Sequence, residues 1–134
     1  MYSPSTETIL FIKVIFFSQI HCLKLDKKHI AFTSDSWTTS VDRMVHWCSL
    51  TVHFIDEEWV LRTCLLDIRQ LPYSADNEAI VVAWNSIFKN YGLNQQKNLV
   101  AAVTDGGSAF QLAAKIFTSS TNAITHWCCI IEWI

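Results

Sequence analysis

Apolar and polar positions alternate most clearly between Val45 and Ile55. Cys48, Leu50, Val52 and Phe54 fall on one side, and Ser49, Thr51 and His53 on the other. A period of two predicts a half-buried strand. The acids Asp56 to Glu58 follow, and then a β-branched and aromatic run from Trp59 to Ile68. Two such runs joined by a short polar stretch predict an antiparallel hairpin with a solvated turn. Upstream, Ile30 to Asp35 reads as a short strand that ends in a polar loop. Downstream the period changes. Ile80, Trp84, Ile87, Phe88 and Tyr91 recur at i, i+4, i+7, i+8 and i+11, the apolar stripe of an amphipathic helix. Ser74 is its expected N-cap, Asp76 and Glu78 suit the positive end of its dipole, and Gly92 stands where a C′ glycine would end it.

The stretch NLVAAVTDGG then predicts a continuous apolar strand stopping at Thr104 and Asp105, and Ser108 to Phe117 predicts a second helix. A hairpin followed by a strand–helix–strand crossover gives an α/β fold, a mixed sheet with helices packed on it. The tail AITHWCCIIEWI is apolar to its last residue, so the domain is expected to be cut off before its last elements. Ile9 to Phe17 is also apolar, but it contains Lys13 and falls far short of the roughly 20 residues that span a bilayer. It lacks a basic flank and a cleavage site, which predicts a buried helix or strand and no membrane partner.

Composition narrows the class. The chain has 134 residues, 51% of them hydrophobic, with three glycines and two prolines, a globular composition sufficient for one core. Ten Lys and Arg against twelve Asp and Glu give a net charge of -2. A free-standing nucleic-acid binder usually has a basic excess, so DNA contact would need a local patch. The five cysteines, Cys22, Cys48, Cys64, Cys128 and Cys129, form no Cys-x2-Cys pair. They support neither a disulfide framework nor a zinc ribbon, and read as reduced, buried thiols. His46 and His53 lie seven apart on one strand and so on opposite faces. Trp47, Trp59 and Trp84 are expected in the core or at its edge.

Asp35 and Asp105 both close runs that read as central strands. If those strands are neighbours, both acids emerge at one edge of the sheet, where α/β folds collect ligands. Two carboxylates held together repel unless a cation lies between them, and Mg2+ is a hard ion suited to oxygen ligands. A metal held this way can activate water and stabilise the leaving oxygen of a phosphodiester. The structural alternative is that Asp35 closes a turn and Asp105 caps the next helix.

The words FTSDSWTTS, SLTVHFIDEEWVLRTCLLDI, SADNEAI and LVAAVTDGGSAFQLAAKIF, in this order and spacing, resemble the ribonuclease-H-like core of hAT-family transposases. They are similar also to the zinc finger BED domain-containing proteins derived from those transposases. The resemblance runs from about Ile30 to the C-terminus, dividing the chain into an unassigned segment, 1–29, and a partial ribonuclease-H-like domain, 30–134. It implies a five-stranded mixed sheet, antiparallel through its first three strands. It also implies that Asp35 and Asp105 match the first two acids of an Asp-Asp-Glu catalytic metal triad using Mg2+, and that Trp37 packs beside them. Glu132 comes too early to be the third acid, and Cys128 and Cys129 lack the histidine that follows at Cys-x-x-His in the family. Gly106 and Gly107 depart mildly from its pattern, and no zinc finger is present.

Three readings follow. The first is a truncated, transposase-derived domain that catalyses nothing alone. It would bind a partner or nucleic acid, or form an oligomer, through its unfinished sheet and apolar tail. The second is a fragment of an active DNA transposase performing Mg-dependent strand cleavage and transfer with Asp35, Asp105 and a further Glu. The third is a nucleotide-binding α/β domain with TDGGSA as its phosphate loop. DNA as partner and the nucleus as location rest on the resemblance alone.

Overall fold

The computed structural model describes residues 24–39, 45–72 and 76–127, together with Ser5 and Thr8. The expectations placed on Ile9 to Phe17, Ser74, Cys22, Cys128, Cys129 and Glu132 lie outside those residues. A 3-10 turn, Leu25–Lys27, leads into β1 (Ile30–Thr39), β2 (Val45–Ile55) and β3 (Leu61–Leu71). Then follow α1 (Asn77–Asn90), a one-turn helix α2 (Gln95–Asn98), β4 (Leu99–Thr104), α3 (Ser108–Thr118) and β5 (Ile124–Trp127). The strands form one sheet in the order β3-β2-β1-β4-β5. The first three are antiparallel, and β4 and β5 join parallel to β1. This is the mixed α/β sheet of a ribonuclease-H-like fold.

Both long helices pack on one face of the sheet. Phe32 of β1 meets Trp84 and Phe88 of α1 and Phe117 of α3 edge-on, with ring centroids 5.0, 6.0 and 5.7 Å apart. Offset and T-shaped aromatic contacts of this kind add to the burial of the rings themselves. Ile30, Leu50, Val52, Ile80 and Ile87 are fully buried around them. The apolar stripe read from the sequence is therefore the buried face of α1, with Tyr91 donating to the Leu66 carbonyl at 2.7 Å. Gly92 takes φ 67 just past the helix, while Leu93 N–H bonds Phe88 O and Gly92 N–H bonds Lys89 O. That is the paired bonding of a Schellman end.

Three expectations are corrected. The cap of α1 is Asp76, whose Oδ1 accepts from Ala79 N–H at 2.9 Å, and not Ser74. Trp59 is neither in β3 nor in the core. It lies in the hairpin turn, 88% exposed. Asp35 is not at the end of its strand, since β1 continues to Thr39, where it still pairs with Val45 of β2. The β-branched and aromatic residues Trp37, Thr38 and Thr39 favour that extension.

The opposite face of the sheet carries its own small apolar cluster. Trp47 and Ile68 are buried there against Trp37, Val45 and Leu65. A polar ladder runs beside it: Thr33 Oγ1 bonds His53 Nε2, and His53 Nδ1 bonds Thr63 Oγ1, each at 3.0 Å. His46 instead pairs with Thr38 at 3.1 Å, so the two histidines do stand apart.

Candidate metal and ligand edge of the sheet

The placement of Asp35 and Asp105 follows from the parallel register of β1 and β4. Ser34 is level with Thr104, the last residue of β4. One step further along each chain come Asp35 and Asp105, at the point where β4 stops and β1 runs on. Across the other ladder Asp35 is level with Ser49 of β2. The structure thus brings the two acids to one edge, although only Asp105 ends a strand.

Each carboxylate is held by its own chain. Asp35 is exposed, and its Oδ1 accepts from Ser36 N–H at 2.8 Å. Asp105 is half-buried, and its Oδ1 accepts from Gly107 N–H at 3.0 Å. Gln111 Nε2 donates to the Gly106 carbonyl at 2.8 Å and ties the glycine loop to α3. The N-cap of α3 is Gly107, without a side-chain cap. Asp105 therefore closes an Asx-type turn ahead of the helix and does not cap it. A Cβ on Gly107 would stand 3.1 Å from Asp105 Oδ1, tight enough to crowd that carboxylate.

Beneath the acids the sheet is fixed by buried polar bonds that the sequence did not announce. Trp84 Nε1 donates to Ser34 Oγ at 3.1 Å, and Ser34 Oγ donates to Ser49 O at 2.6 Å. The only sign in the sequence was a serine at an inward position of an apolar strand. Trp37, two residues beyond Asp35 on the same strand face, packs against the Trp47 and Ile68 cluster, as expected of a packing residue.

The chemistry open to this edge is limited by its donors. Two carboxylates brought to one edge of the sheet suit a hard divalent ion completed by water or phosphate oxygens. Among the described residues, no group of three or more His, Cys, Asp or Glu side chains comes together as a metal site. The loop suits a nucleotide phosphate poorly, because an aspartate already occupies the Gly107 N–H and adds negative charge where the phosphate would bind.

Comparison with known proteins agrees with the fold. No curated protein matches the chain. The family model described as the ZBED1 RNase-like domain matches residues 33–126, more than half of the chain and nearly all of the sheet with its helices. The chain belongs to this family, a ribonuclease-H-like domain of ZBED and hAT transposase descent.

Proposed function

We propose that this transposase-derived domain works by binding and does not cut DNA on its own. The observation that carries the reading is that Asp35 and Asp105 each stand one step past the last paired residues of β1 and β4, joined by no third acid among the described residues. Strand cleavage at such an edge needs a metal whose coordination positions both water and leaving oxygen. Two carboxylates can hold an ion without arranging it for that task. The net charge of -2 favours a protein partner over DNA, since nothing in the overall charge repays the phosphate backbone. The sheet face opposite the helices, with Trp37, Val45 and Leu65 only partly covered, is the surface that suits such a partner. A nuclear location fits the same descent.

The test is fluorescence anisotropy of labelled duplex DNA titrated with the full chain, with and without Mg2+. The expected result is binding no tighter than the ~10⁻⁴–10⁻⁶ M of non-specific contacts, indifferent to Mg2+. Tight, Mg-dependent binding that disappears in Asp35→Asn would overturn the reading.

The register of the two acids favours one alternative, a fragment of an active transposase. In that case Asp35 and Asp105 would hold Mg2+, and a further glutamate would complete the set. The ion would supply Lewis-acid activation of water at a phosphodiester. This chain's own part would be to fix the two carboxylates through Ser36 N–H and Gly107 N–H.

A further inference from the structure

At the end of β1 remote from Asp35, the hairpin turn holds a residue that folding alone does not call for. Trp59 is 88% exposed, and its backbone stands at φ 62. That left-handed conformation is unfavourable for a residue with a side chain, and the indole gains nothing by burial in return. Glycine or asparagine would suit both the conformation and the solvent.

The turn is nevertheless firmly built. Asp56 Oδ1 accepts from Glu58 N–H and Val60 N–H, each at 2.9 Å, and Asp56 Oδ2 accepts from Arg62 Nε at 2.5 Å. Asp56 and Val60 also pair through the main chain, and Trp59 N–H bonds Asp56 O. The Val60 amide and then Arg62 hold the Asp56 carboxyl below its usual range. A rigid turn thus presents a large aromatic side chain to water. Strain kept in place by surrounding structure points to function.

Beside Trp59 lies a cleft of about 610 Å³ whose apolar wall is Ile55 and Val100, both also exposed. Its volume is within the ~300–1,000 Å³ of sites that take a bulky group. The charges around it are divided. Lys27, Lys28 and His29 come from the turn that leads into β1, and Asp56 and Glu57 come from the hairpin turn, with Glu58 next in it. A single bridge, Lys28 Nζ to Glu57 Oε1 at 3.0 Å, joins them.

A face with a projecting indole, an apolar cleft, one basic half and one acidic half is complementary to itself under a two-fold rotation. We propose that this face pairs two copies of the chain. Trp59 of each copy lies against Ile55 and Val100 of the other, and the basic turn of each faces the acidic turn of the other. A nucleic acid fits less well, because the acids beside Trp59 oppose phosphate as strongly as the lysines attract it. The face is at the other end of the sheet from Asp35 and Asp105, so the pairing stands or falls separately from the function proposed above.

The test is sedimentation velocity of the full chain over a range of concentrations. A dimer is expected, and Trp59→Ala should weaken it at least about tenfold, as loss of an aromatic hot spot does. K27E/K28E and E57K/E58K should each be monomeric alone and form a mixed dimer when combined, with unchanged far-UV circular dichroism in every variant. A monomeric parent chain, a dimer indifferent to Trp59→Ala, or charge variants that fail to pair when mixed would each overturn the proposal. So would a monomer that binds a single-stranded oligonucleotide through Trp59.

Discussion

Ser34 and Trp84 are fifty residues apart in the chain and meet in a buried hydrogen bond, Trp84 Nε1 to Ser34 Oγ, at 3.1 Å. Ser34 passes the connection on to the Ser49 carbonyl, so α1, β1 and β2 are joined one residue before Asp35. Ser34→Ala leaves the indole N–H without an acceptor in a site closed to water. The expected loss is about 1–3 kcal/mol, read as a lower midpoint in urea unfolding with an unchanged slope.

Asn98 performs a similar task at the other end of the sheet. It is buried, donates its amide hydrogens to the carbonyls of Asp26 and Lys28, each at 2.9 Å, and accepts from Asn94 N–H. Asn98→Leu removes all three bonds and is expected to cost about 2–4 kcal/mol. Amide hydrogen exchange should show the 3-10 turn at Leu25–Lys27 opening first.

His53 gives the fold a dependence on pH. Burial holds the pKa of its imidazole below the ordinary histidine value of about 6.5, so the folded state favours the neutral ring. Between the folded pKa and 6.5 the unfolded chain binds more protons, and the slope of stability against pH is positive there. The contribution is fully present above about pH 6.5 and is lost as pH falls through the folded pKa. Urea titrations across that range should show the slope, and His53→Gln should flatten it.

Trp59→Gly tests the strain in the hairpin turn. Relief of the left-handed backbone gains about 1–2 kcal/mol, offset by about 0.4–1 kcal/mol for the freer unfolded chain. The isolated fold should gain up to about 1.5 kcal/mol, measured by thermal or urea unfolding at concentrations where the chain is monomeric. A marked loss would mean that Trp59 packs in the fold after all.

The sequence was most readable where one periodicity acted alone. The alternation in β2 and the stripe on α1 are local consequences of burial on one face, and Gly92 marked its helix end because few other residues accept φ 67. The end of β1 was misread because Ser34, Asp35 and Ser36 look like loop residues. They remain extended because β2 continues to pair with them. Trp59 was misread by composition, since an aromatic residue after an acidic turn suggests a strand. Asp56 instead organises five residues into the turn and leaves the indole outside. The juxtaposition of Asp35 and Asp105 depended on β1 and β4 being neighbours, and the register between distant strands is not written in either strand by itself.

The most direct test of the central claim is a nicking assay on supercoiled plasmid with the full chain in Mg2+ or Mn2+. The chain carrying both Asp35→Asn and Asp105→Asn serves as the reference. The parent chain is expected to nick no faster than this double variant. Nicking by the parent chain that requires the metal and disappears in the double variant would contradict it.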